Sequence, residues 1–220
     1  LKKDLEYFAQ QMGYEVKYAF DDDMEYNDVT DTDLNSFYEA IFRDSKYFPR
    51  DYQHRAIYEC VKSKRGVVEA ATGSGKSLTI YSLIRFVMTA TKDRILIIVP
   101  SISLTKQLFS DFIDYGWVDC INEVSVLYNN SDMYDPTKRI LISTYQSLAK
   151  KDEYFFENYE SVFVDECHGV NSSSVSIKNI LDKCINCGYR FGFTGTLPIN
   201  EGDQINLYGS LAPVLTSIRS

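Results

Sequence analysis

The chain is punctuated by short apolar runs, each closed by a polar or glycine-containing cluster. Ile95-Leu96-Ile97-Ile98-Val99 is apolar throughout, the pattern of a strand buried on both faces of a parallel sheet. Val67 to Glu69, Val124 to Leu127, Ile140 to Ile142, Ser161 to Val164 and Tyr189 to Phe193 read as further strands. Helical spacing fills the intervals. Ile57, Cys60 and Val61 share one face of a segment that Gly66 is placed to stop. Leu78 to Ile84, about Leu104 to Tyr115, and residues 175–187 also read as helices, while 129–138 is polar loop. Strands alternating with helices predict an α/β domain, a mainly parallel sheet covered by helices on both faces. Ligands of such sheets bind beyond the C-terminal ends of the strands. The polar clusters follow the strands directly, so chain order alone predicts that they gather along one edge.

The first 45 residues have a different character. Leu5, Phe8, Ala9 and Met12 fall on one face of a predicted helix ended by Gly13, and 14–18 alternates like a strand. A second helix is expected from Leu34 to Phe42, capped by Asp33. This reads as part of a small α+β N-terminal module over residues 1–45, with the main domain over 46–220.

Charge sharpens that division. Residues 1–40 hold eleven Asp or Glu and three Lys, so they carry the whole net charge of −8. The remainder is balanced. A phosphate-gripping surface is normally basic, so net charge lends nucleic-acid binding no support, and any such surface must be a local patch. The run Asp21-Asp22-Asp23 reads as a solvated loop rather than a metal site. Aromatic residues make up 14% of the chain, which speaks for a packed core. No stretch approaches the ~20 apolar residues of a membrane span, and no secretory signal is evident. Five scattered cysteines suit a reducing, cytoplasmic setting. Cys184 and Cys187 have zinc-like spacing but no second pair, and the only histidines are His54 and His168.

Two clusters carry chemistry. Ala70-Ala71-Thr72-Gly73-Ser74-Gly75-Lys76-Ser77 lies between a strand and a helix, the arrangement of a phosphate-binding loop. The glycines let successive N–H groups point into one anion-sized hollow, backed by the helix N-terminus. Lys76 can reach β- and γ-phosphates, and Ser77 can ligate Mg2+. Ala70 stands where the motif usually has Gly; a small residue still fits. The second cluster, Asp165-Glu166, follows an apolar strand. One carboxylate, Asp165, can hold Mg2+ with Ser77; the other, Glu166, can orient and deprotonate an attacking water.

Asp165-Glu166-Cys167-His168, taken with the phosphate loop, resembles the DExH signature of superfamily 2 helicases. The resemblance runs from about residue 49 to 198. Arg50 and Gln53 resemble the motif that reads adenine. Pro100-Ser101, with Leu104 and Gln107, resembles motif Ia, and Thr144-Tyr145-Gln146-Ser147-Leu148 resembles motif Ib. Thr194-Gly195-Thr196 stands where the family has Ser/Thr-Ala-Thr, motif III, with Gly195 in place of Ala. The stretches Asp111 to Tyr115 and Phe191 to Gly195 are similar to phage recombination helicases.

The resemblance implies a RecA-like lobe that binds ATP and Mg2+. It assigns Lys76, Asp165, Glu166 and His168 to hydrolysis, and Arg50, Gln53 and Thr72 through Ser77 (Thr72, Gly73, Ser74, Gly75, Lys76, Ser77) to the nucleotide. Pro100, Ser101, Thr144 and Tyr145 fall to nucleic acid, and Thr194 and Thr196 to coupling, with His168 linking motif II to motif III. Tyr145 can also be read as packing, and Trp117 as core. The implied activity is ATP-dependent remodelling of branched DNA, such as Holliday junctions and stalled forks. An RNA helicase, a restriction-enzyme translocase or a nucleotide-binding module without motor activity are the alternatives. Family members close the ATP site with a second RecA-like lobe that supplies arginine fingers. Only 22 residues follow Pro198, so that lobe is expected to lie outside this chain and the chain alone to hydrolyse ATP poorly.

Overall fold

The computed structural model describes residues 28–43, 45–71, 73–128, 134–170 and 175–218. The helix expected over 1–12 and the strand over 14–18 lie outside the described residues. The elements are α1 (Asp31–Ile41), α2 (Asp51–Ser63), β1 (Arg65–Ala70), α3 (Lys76–Ala90), β2 (Ile95–Val99), α4 (Ile102–Asp114), α5 (Cys120–Glu123), β3 (Val124–Leu127) and β4 (Ile140–Thr144). They continue with α6 (Tyr145–Leu148), α7 (Glu153–Glu157), β5 (Ser161–Asp165), α8 (Val175–Lys183), β6 (Tyr189–Thr194), α9 (Glu201–Leu211) and β7 (Val214–Ile218). The strands form one seven-stranded sheet in the order β3-β4-β2-β5-β6-β1-β7. Every pairing is parallel.

The continuous apolar runs divide between two cores because strand side chains alternate. From β2, Ile95, Ile97 and Val99 enter one core, while Leu96 and Ile98 enter the other. From β5, Phe163 faces the first core, and Val162 and Val164 the second. Helices α1 to α4 cover the first face, and α6 to α9 the second. Helix α1 belongs to this packing: Leu34 and Tyr38 are fully buried in the same core as Ile57 of α2 and Tyr81 of α3.

Several boundaries differ from the sequence reading. Thr30, not Asp33, caps α1; its side chain accepts from the Asp33 amide. The Asp33 carboxylate in turn accepts from the Thr30 amide at 2.9 Å, a reciprocal capping box. The Thr30 hydroxyl, at 2.6 Å, and then its amide, both donating to this carboxylate, hold the Asp33 pKa below the ordinary carboxylate value. Gly66 does not stop α2. The helix ends on Lys64 in the left-handed conformation, with φ of 58°, and Gly66 already belongs to β1. Helix α8 ends at Lys183, because Cys184 to Cys187 form a turn closed by a Cys187 N–H to Cys184 carbonyl bond of 3.2 Å. Helix α9 and strand β7 carry too weak a pattern to be read from sequence. Only Leu207, Ser210 and Leu211 of α9 are buried, and β7 is a half-buried edge strand.

The turn after β5 is held down by a close approach at Gly192 of β6. A Cβ there would lie 2.6 Å from Leu211 Cδ1 and 2.8 Å from Cys167 Sγ, inside contact distance on both sides. Gly192→Ala is therefore expected to destabilise the chain by about 1–3 kcal/mol through overpacking. Thermal denaturation checks this; an unchanged midpoint would mean that Cys167 and α9 shift aside freely.

Candidate active site

The phosphate loop leaves β1 and enters α3 through Gly75, whose left-handed backbone (φ 78°, ψ 40°) forms the N-cap of α3. A side chain at Gly75 would also strike Gln53, with Nε2 2.5 Å from the added Cβ. Gly73 is left-handed too (φ 83°), and no atom of the described residues lies within 4 Å of a Cβ placed there, so the space beside it is open. The edge strand missed in the sequence buttresses the loop's start: the Ala71 amide donates to the Ile218 carbonyl at 3.2 Å. Among the described residues, the Ser74 hydroxyl is buried without a hydrogen-bond partner, an orphan group of the kind a ligand or water satisfies. Thr72 lies outside the described residues.

Gln53 sits behind this loop, 3% exposed. Its Nε2 donates to the carbonyls of Ser74 and Gly75 at 3.2 and 3.1 Å. Its Oε1 accepts from the Arg50 amide at 2.9 Å. Flipping the amide would set oxygen against two carbonyls and nitrogen against an N–H, so the partners fix its orientation. Both donors of the residue expected at adenine are engaged by the loop backbone. The Arg50 side chain turns instead to the Tyr52 hydroxyl at 3.2 Å.

Sheet order places the second cluster opposite. One strand, β6, separates β1 from β5. Glu166, just past β5, has left-handed backbone (φ 54°, ψ 49°), a strained conformation for a residue with a side chain, at about 1–3 kcal/mol. The strain directs its carboxylate back across the sheet edge. Glu166 Oε1 pairs with Lys76 Nζ, and Asp165 Oδ1 lies 3.9 Å from the same ammonium. Asp165 also accepts from the Glu166 amide at 3.0 Å. Burial raises the Asp165 pKa above the ordinary carboxylate value, opposed by Lys76 and reinforced by Glu166.

The network continues into β6. His168 Nδ1 lies 3.2 Å from Glu166 Oε2 and 3.0 Å from Thr194 Oγ1. The Thr194 hydroxyl donates to the Thr196 carbonyl at 2.8 Å, which spends its only proton. Thr194 therefore accepts from His168, and Nδ1 carries the proton. His168 and Thr194 are thus in direct contact.

Hydroxyl and carboxylate oxygens at Ser77 and Asp165 form a hard donor set that suits Mg2+. Lys76, Ser77, Asp165 and Glu166 share a cavity of about 290 Å³ with the α4 residues Gln107 and Asp111. A larger cavity of about 570 Å³, beside α7 and α8, holds none of these groups. Asp111 was missed as a site residue. The signal available was its spacing from Leu104 and Gln107, which places all three on one stripe of α4.

The expected nucleic-acid residues lie at the ends of neighbouring strands β2 and β4. Gln146 Nε2 bridges them by donating to the Pro100 carbonyl at 3.4 Å. The Ser101 hydroxyl caps α4. Thr144 is buried and meets Ser147 Oγ at 3.0 Å. Tyr145 packs half-buried against the second core. Cys184 and Cys187 are buried, and the Cys187 thiol donates to the Tyr159 carbonyl at 3.3 Å. No described helix is long and apolar enough to cross a membrane.

With this geometry in view, residues 46–199 match the model of the family described as type III restriction enzyme, res subunit. The chain belongs to this family. It carries a RecA-like first lobe of the superfamily 2 type. Among curated relatives it is 30% identical over 175 residues to the ATP-dependent DNA helicase uvsW of Enterobacteria phage T4, covering 77% of this chain and 34% of that protein. It is 29% identical over 159 residues to the DNA 3'-5' translocase XPB2 of Sulfurisphaera tokodaii, covering 70% and 32%. The chain thus spans about a third of the length of these relatives. In fold it is similar to the crystal structure of the UvsW helicase from bacteriophage T4, with TM-score 0.79 and 23% identity over 97% of this chain and 77% of that one. It is also similar to the Sulfolobus solfataricus SWI2/SNF2 ATPase core in complex with dsDNA, with TM-score 0.61 and 19% identity over 76% and 36%.

Because Gln53 holds the loop backbone, Gln53→Ala is expected to weaken inorganic pyrophosphate as well as ADP, by about tenfold for two lost hydrogen bonds. Calorimetric titration of both ligands checks this. A loss confined to ADP would place the effect at the base instead.

Proposed function

We propose that the chain is the first motor lobe of an ATP-dependent DNA helicase or translocase acting on branched DNA, such as Holliday junctions and stalled forks. The observation that carries the reading is the convergence of Lys76, Asp165 and Glu166 at one sheet edge, wired through His168 to Thr194. The relatedness to a phage DNA helicase and an archaeal DNA translocase supports DNA as the substrate class. Pro100, Ser101, Thr144 and Tyr145 are the proposed nucleic-acid contacts, at the strand ends beside the ATP cavity. Residues 1–45 are taken as the end of an N-terminal module, and a second RecA-like lobe as the partner that completes the site.

In this reading the loop amides and Lys76 hold the phosphates of ATP. Ser77 and Asp165 would hold Mg2+, which neutralises developing phosphate charge. Lys76 leaves Glu166 as phosphates arrive, and the freed carboxylate takes a proton from the attacking water. Glu166 lies 3.2 Å from the His168 nitrogen that meets Thr194, so a shift at the γ-phosphate is felt at motif III. Arg50 and Gln53 are proposed to read adenine. For Gln53 this requires exchange of a loop hydrogen bond for one to the base.

Binding and chemistry separate by mutation. Lys76→Ala is expected to weaken ATP binding and abolish DNA-stimulated turnover together. Glu166→Gln removes the base and the charge partner of Lys76; it is expected to bind ATP at least as well and lose turnover by about 10^2–10^4. Nucleotide titration beside steady-state hydrolysis, in the enzyme carrying both lobes with forked DNA present, decides this. Parental hydrolysis by Glu166→Gln would remove Glu166 as the base.

A second measurement addresses the base. The unmodified chain is expected to bind ADP and ATP more tightly than GDP and GTP. Equal affinities would withdraw Arg50 and Gln53 from adenine reading.

A further inference from the structure

We propose that Tyr115 is a positioning residue for the Ser77 hydroxyl, fixing where its oxygen sits and leaving a lone pair for the cation. The proposal rests on the reading of Ser77 as an Mg2+ ligand and extends it to a residue outside the ATP-site motifs. Tyr115 OH lies 2.6 Å from Ser77 Oγ. Tyr115 caps the C-terminal end of α4, beside the start of α3.

A serine hydroxyl has one proton and two lone pairs. Whichever partner of the Ser77–Tyr115 bond donates, at least one Ser77 lone pair remains for a metal ion.

The tyrosine is itself fixed. It is 8% exposed. Its ring meets Tyr47 edge-on at 5.0 Å and Tyr81 at 5.3 Å between centroids. Packing, not solvent, sets where its hydroxyl sits. An outer hydrogen bond of this kind orients a metal ligand, and its loss weakens metal binding.

The test measures metal dependence by binding, without turnover. A fluorescent ADP analogue is titrated onto the 220-residue chain in EDTA and across a Mg2+ series. The variants are Tyr115→Phe, Ser77→Ala and the Ser77→Ala/Tyr115→Phe double variant. Tyr115→Phe keeps the ring packing. It is expected to raise the Mg2+ concentration at half-effect about tenfold, with the weakening present in Mg2+ and absent in EDTA. The double variant is expected to match Ser77→Ala, because Tyr115 acts through that hydroxyl. Parental Mg2+ dependence in Tyr115→Phe, with a shift in Ser77→Ala, would overturn the proposal and leave Ser77 as a ligand. No shift in Ser77→Ala would instead overturn the reading of Ser77 on which it stands.

Discussion

The ion pair between Lys76 and Glu166 is the contact on which the site depends. Each partner comes from a different strand end, and β6 lies between those strands. The Lys76 side chain is only 15% exposed. An ammonium so enclosed is costly without a counter-charge, and Glu166 supplies one from a strained backbone position. In the proposed cycle the nucleotide phosphates take over that role. The same exchange that admits ATP would then free the carboxylate needed for water attack.

Behind the charged edge, the site is braced by groups that touch no phosphate. Gln53 ties the start of α2 to two loop carbonyls. Strand β7 takes up the Ala71 amide. On the α1 side, a run of rings leads inward: Tyr38 packs on Phe42, Phe42 on Tyr81, and Tyr81 on Tyr115. The Tyr115 hydroxyl ends that run on Ser77. The helix nearest the acidic N-terminal stretch is thereby linked through packed rings to the proposed metal ligand. A rigid aromatic chain of this kind transmits position better than a solvated polar one, because close-packed rings cannot move singly.

The sheet was readable because buried parallel strands are apolar on both faces, and a five-residue apolar run such as Ile95 to Val99 is too short for a buried helix. The phosphate loop and the Asp165-Glu166 pair were readable because their chemistry needs fixed residue types at fixed distances from a strand end. Elements with little buried surface were not readable. Helix α9 shows three residues to the core, and edge strand β7 is half-exposed. The first cap was misplaced by three residues because Thr30 and Asp33 form the two halves of one capping box, and either type is a good N-cap when considered alone.

What the sequence determined by itself was the order of strands and helices, the edge at which the motifs collect, and the residue types able to bind phosphate. Those are local properties, set by side-chain periodicity and backbone freedom. Tertiary structure alone decided the partners. It placed β6 between β1 and β5, laid Lys76 on Glu166, and aimed both Gln53 donors at the loop. It also brought Tyr115, 38 residues along the chain, to Ser77. A hydrogen bond depends on where two groups meet in space, and the spacing of residues along one chain does not carry that information until the sheet is assembled.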